Sequence, residues 1–142
     1  MSAEGLIDTG AILSLIDRDS KWHVPCRNAF REIRLPVLTS EAVLTEVFHL
    51  AERDFHNPEQ VWGFVQSGAI RMGTIQDDEL RRMQSLMKKY RDRPMDFADA
   101  TLVYLAERES LSLILTIDHD DFETYRIAGT KRFTIPPERR RK

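Results

Sequence analysis

Leu113-Ile114-Leu115-Thr116-Ile117-Asp118-His119-Asp120-Asp121-Phe122 is the stretch on which the fold turns. A short run of apolar and β-branched residues suits a fully buried strand, and Asp118 ends it in a cluster of turn-forming and capping residues. Near the start of the chain, Leu6-Ile7-Asp8-Thr9 repeats the arrangement: a short apolar run, an Asp, then a stretch predicted helical to about Ile16. Taken singly, each Asp has a simple reading as a cap, because its side chain accepts from the free N–H groups of a helix's first turn. Two strands that both end in Asp, however, bring both carboxylates to the same edge of one sheet.

Between these strands, short apolar runs alternate with longer amphipathic segments. The spacing predicts helices over 22–33, 41–53, 58–66, 77–90 and 96–109, and strands at 37–38, 70–72 and 133–135. Pro58 suits the first position of its helix. Strand and helix alternating at this pace predict an α/β fold: one domain over residues 1–137, with a short parallel central sheet flanked by helices on both faces. Residues 138–142 form a basic tail, expected to be disordered. Ligands of such sheets bind beyond the carboxyl ends of the strands, which is where Asp8 and Asp118 fall.

Composition narrows the class. With 142 residues, 42% hydrophobic and 31% charged, the chain is long enough to bury a core unaided. Cys26 is the one cysteine, which rules out an internal disulfide or a cysteine-rich zinc site. No apolar run is long enough to span a membrane and Met1–Gly5 does not resemble a signal peptide, so a cytoplasmic location is the expectation. The net charge is −2, but the last five residues carry +3 and leave −5 before them. An acidic body acting on a polyanion needs a bound cation or local basic patches to offset repulsion.

Two further acids stand out. Around Asp99, the helical neighbours Leu102, Val103 and Ala106 are all apolar, so its carboxylate projects from a face that should be buried. A buried carboxylate must be hydrogen-bonded, paired or metal-bound. A capping box, with Asp96 as N-cap and Asp99 reaching back, satisfies that requirement equally well. Glu46 sits at the border of an apolar stripe, beside Val43 and Leu50, where a solvated side chain is the plain alternative. Taken together, the four acids suggest a site. Clustered carboxylates repel one another unless a cation is present, and an all-oxygen set favours Mg²⁺ or Mn²⁺ over zinc. Ions so held suit phosphodiester hydrolysis.

The segments Leu6-Ile7-Asp8-Thr9-Gly10-Ala11, Thr39-Ser40-Glu41-Ala42-Val43-Leu44-Thr45-Glu46, Met95-Asp96-Phe97-Ala98-Asp99-Ala100 and Leu115-Thr116-Ile117-Asp118-His119-Asp120-Asp121-Phe122 together resemble the motifs of PIN domains. The likeness is greatest to the VapC-type toxins of toxin–antitoxin pairs and their solitary relatives. It implies a ribonuclease that cuts single-stranded or looped RNA, tRNA or rRNA among the targets, with Mg²⁺ or Mn²⁺ as cofactor. It implies Asp8, Glu46, Asp99 and Asp118 as catalytic residues. Asp8, Asp99 and Asp118 are then the metal ligands, and Glu46 holds water or a second ion. Thr9 and Thr116 support the pocket, and Asp96 and Asp121 lie behind it or act as caps. A homodimer and a small antitoxin partner are also implied.

RNA needs further contacts. Arg81, Arg82, Lys88, Lys89, Arg91 and Arg93 form one basic group and Arg126, Lys131 and Arg132 another, though a solvated helix face accounts for the first as simply. Trp22, Tyr90 and Tyr125 are candidate stacking aromatics, with Trp22 better suited to the core. His119 is a possible phosphate contact or a turn residue. Two rivals remain: a PIN fold that binds RNA or protein without cutting, and another Mg²⁺-dependent phosphoryl-transfer enzyme. A receiver domain would want a Lys after a late strand, where this chain has Asp118.

Overall fold

The computed structural model describes residues 3–55 and 57–137; the basic tail over 138–142 lies outside the described residues. Four strands, β1 (Gly5–Ile7), β2 (Val37–Thr39), β3 (Ile70–Met72) and β4 (Leu113–Leu115), form one sheet in the order β3-β2-β1-β4. Every pairing is parallel, with Leu6 opposite Leu38 on one side and Ile114 on the other. The chain thus builds outward from β1 to β3 and then returns to the far side of β1. The strand order reverses between β1 and β4, which makes the carboxyl ends of those two strands the switch point where an open α/β sheet binds its ligands.

The helices are α1 (Thr9–Ile16), α2 (His23–Glu32), α3 (Glu41–Phe55), α4 (Pro58–Gln66), α5 (Leu80–Lys89), α6 (Phe97–Glu109) and α7 (His119–Thr124). Leu6, Ile7, Leu38, Ile114 and Leu115 are at most 1% exposed although successive strand residues face opposite ways, so both faces of the sheet are covered. α1 packs on α2 and α3, α3 on α6, and α6 on α5. Along α6, Ala100, Leu102, Val103, Leu105 and Ala106 are wholly buried, so this helix is apolar nearly all round.

Two expectations are corrected. Residues 133–135 do not form a strand: Thr134 makes one parallel bridge to Leu113, through bonds to Ile114 and Ser112. The helix expected over 77–90 begins as a 3-10 turn, Asp77–Glu79, in which Gln76 and Glu79 form a capping box, and α5 starts only at Leu80. Tyr104 and Arg108 of α6 both bond the Glu79 carboxylate, and Arg108 also donates to the Thr74 carbonyl. These ties to α6 hold the turn apart from the regular helix.

Candidate active site

Asp8 directly follows β1, and its N–H donates to the Leu115 carbonyl, 2.9 Å away, so it still belongs to the strand ladder. Its carboxylate is 8% exposed and caps α1: the Thr9 N–H donates to it at 2.7 Å. The Thr116 hydroxyl donates to the other oxygen at 3.1 Å and accepts from the Asp118 N–H at 2.9 Å. One hydroxyl therefore links the acid after β1 to the acid after β4. Gly10 lets these segments approach, since a Cβ there would lie 2.8 Å from the Ile117 side chain.

Asp99 is the third residue of α6. Its N–H donates to Asp96 at 2.8 Å, so Asp96 is the N-cap, but the Asp99 carboxylate accepts from the Tyr125 hydroxyl at 2.8 Å. The capping box read from the sequence is thus half present. Glu46 projects from α3, which begins where Ser40 accepts from the Val43 N–H and bonds Thr101 of α6.

These four acids, which come from four separate segments, line one cleft of about 290 Å³ together with Asp96 and Asp121. Leu13, Leu50, Pro94 and Ile117 supply its apolar wall. Arg93 pairs with Asp121 at 2.9 Å on the rim. Burial pushes the Asp8 carboxyl up to about 7 against its two hydrogen bonds, with Glu46 and Asp118 adding repulsion. Burial and the charge of Asp8 push Asp99 up to about 8. Asp118, at the mouth, is raised to about 6 by partial desolvation and then by Asp121. All three shifts favour the neutral acid, the expected state of packed carboxylates with no cation among them.

The donor set suits a hard cation: carboxylates and hydroxyls alone, in a cleft whose own charge is negative. The Thr9 hydroxyl is buried beside the acids and has no hydrogen-bond partner, an orphan that a bound water or ion would satisfy. Among the described residues the acids line the cleft, and no three of them close on one ligating point. The fit to a divalent ion is therefore one of charge and donor type.

Other nominated residues fall elsewhere. Tyr125 is wholly buried, so it is no stacking platform; its sequence signal, an aromatic among polar residues, concealed its bond to Asp99. The Tyr90 hydroxyl accepts from the Arg126 N–H, and its ring packs on Tyr125. Trp22 stacks on His119, itself buried and bonded to the Pro137 and Ile117 carbonyls. Within the basic groups, Arg82 is held by Glu107 and Arg126 by carbonyls at the end of α7. No helix among the described residues is long and apolar enough to cross a membrane.

Comparison with known proteins agrees with this architecture. The PIN domain family matches residues 5–128. Ribonuclease VapC26 of Mycobacterium tuberculosis is 29% identical over 134 residues, which cover 93% of this chain and 99% of that protein. Among solved structures, M. tuberculosis VapC20, described as a Sarcin-Ricin loop cleaving toxin, superposes with a TM-score of 0.72 at 19% identity. That match covers 81% of this chain and 90% of VapC20. A toxin–antitoxin complex from Klebsiella pneumoniae superposes with a TM-score of 0.63, also at 19% identity, over 84% of this chain and 91% of its own.

Proposed function

This chain belongs to the PIN domain family, and from that premise we propose that it is a Mg²⁺- or Mn²⁺-dependent endoribonuclease of the VapC toxin type. The observation that carries the reading is the convergence of Asp8, Glu46, Asp99 and Asp118 on one cleft at the sheet's switch point. Asp8, Asp99 and Asp118 would hold the metal, which would supply positive charge to the scissile phosphate and to the leaving oxygen.

The rest of the chemistry falls to the chain's own groups. Glu46 holds the attacking water and takes its proton. Thr116 and Tyr125 keep the Asp8 and Asp99 carboxylates aimed into the cleft, and Thr9 offers its free hydroxyl to a water there. Arg93, paired with Asp121, fixes the rim and keeps Asp121 from adding its full charge to Asp118. The substrate class is single-stranded or looped RNA, tRNA and rRNA included. VapC26 is named a ribonuclease and VapC20 is described as a Sarcin-Ricin loop cleaving toxin, which supports that choice. By the same reading the chain takes a small antitoxin as partner, in line with the Klebsiella toxin–antitoxin complex, and dimerises.

Cleavage of a mixed tRNA and rRNA pool in Mg²⁺, Mn²⁺ and EDTA tests this. Asp99→Asn retains an acceptor for Tyr125 and removes the charge. Its activity should fall on the order of a thousandfold, the loss of several kcal/mol of charge stabilisation. Metal-independent cleavage, or full activity in Asp99→Asn, would overturn the proposal.

A further inference from the structure

Phe97 is 44% exposed, although it stands between the cap Asp96 and the site acid Asp99. Three neighbouring cavities share it. One of about 670 Å³ runs between α3 and the start of α6, where Glu41, Thr45, Glu46, His49 and Asp96 are its other polar walls. Glu46 and Asp96 line the acid cleft as well, so the two cavities share those walls. A second, of about 510 Å³, lies on the far side against α5, where Lys88 and Arg91 flank Met83 and Met87. Ser40, Thr74 and Thr101 bound the third.

Phe97 thus separates a carboxylate cleft from two exposed cations, Lys88 and Arg91. Arg82, Arg93 and Arg108, in the same region, are already held by carboxylates. Among the described residues the other exposed aromatic, Trp62, packs on Phe48 and lines none of these cavities.

We propose that Phe97 is the stacking platform for one unpaired base of a single-stranded RNA, and that Lys88 and Arg91 receive the phosphate beyond that base. The inference rests on the nuclease reading of the acid cleft and extends it to how the substrate is held. An aromatic face binds any unpaired base, while cations on one side of it set the direction of the strand. The strand crosses from the acids, over Phe97, to α5. A duplex cannot occupy this path, because its bases are stacked on one another, so the subsite selects loops and single strands. Thr45 and His49, beside the platform, are the groups placed to reach a base edge.

The test is fluorescence anisotropy with a short labelled single-stranded RNA, in EDTA and again in Ca²⁺, with sedimentation velocity alongside. Phe97→Ala and Phe97→Leu should each weaken binding about tenfold, in keeping with the loss of one stacked base, and Phe97→Tyr should keep wild-type affinity. An RNA with one abasic position under Phe97 should bind the wild type as weakly as intact RNA binds Phe97→Ala, and should lose nothing further with that variant. Lys88→Gln with Arg91→Gln should reduce the salt dependence of binding.

Wild-type affinity in Phe97→Ala, with cleavage intact, would remove the subsite and leave the nuclease standing. Affinity retained by Leu but not by Tyr would assign the face to an apolar partner, as would a Phe97→Ala shift in oligomeric state with RNA binding unchanged. Either result overturns the proposal. A wild type that neither binds nor cuts RNA would instead overturn the nuclease reading itself.

Discussion

Tyr125 does at Asp99 what Thr116 does at Asp8: a buried hydroxyl donates to a carboxylate that has lost most of its water. In both cases the donation favours the charged form, against a larger desolvation that favours the neutral one. Tyr125→Phe should keep the packing of a wholly buried ring but let Asp99 hold its proton more tightly. RNA cleavage should then fall about 10- to 100-fold at limiting Mn²⁺, with excess metal restoring part of it and KM little changed. A titration of activity against Mn²⁺ that superposes on wild type would show the hydroxyl to be idle. Asp8 and Asp118 were legible as a pair because each ends an apolar run, and Asp99 because its helical neighbours are apolar. The partnership with Tyr125 joins residues far apart in sequence through α6 and α7, and nothing local to either residue signals it. Phe97 was hidden differently, since an aromatic beside an apolar run reads as core until its exposure is seen.

At the scale of elements, the helix termini govern how firmly the site is held. Asp96 starts α6 and thereby sets where Asp99 points. At the other end Ser110 sits in the left-handed region at φ 56°, and its N–H and that of Leu111 satisfy the last carbonyls of the helix. Glycine adopts this conformation without the steric penalty that Ser110 carries. Ser110→Gly should therefore stabilise the protein by about 0.5–1 kcal/mol, seen as a higher urea midpoint with an unchanged slope. A lower midpoint would mean that the Ser110 side chain contributes more than its backbone strain costs. Alternating strands and helices were legible from periodicity, and so was the order of motifs along the chain. The break before α5 was not, because it depends on Glu79 being held by Tyr104 and Arg108 of another helix.

Across the whole molecule, the acid cleft and the fold pull against each other. Asp8, Asp99 and Asp118 have folded values of about 7, 8 and 6, all above those of free carboxyls. Stability tied to such raised groups is full at pH below about 4 and is lost as pH rises through 6 to 8. Glu79 acts oppositely: Tyr104, Arg108 and the Gln76 N–H lower it to about 2, so its contribution fades as pH falls toward 2. In EDTA the melting temperature should fall between pH 5 and pH 9 by on the order of 5 °C, and Mn²⁺ should recover more of it at pH 8 than at pH 5. Calorimetry showing a flat profile, or equal rescue at both values, would contradict the cation site proposed for the cleft. The sheet order was beyond reading from the sequence, since alternation fixes parallel strands and not their neighbours. That order also decides when the cleft comes into being. Because β4 inserts beside β1, the first and last acids are neighbours in space at opposite ends of synthesis. A nascent chain halted anywhere before residue 113 carries Asp8, and at most Glu46 and Asp99, but lacks the strand that would align Asp8 with Asp118. The cleft is therefore complete only once β4 has been made and has paired with β1.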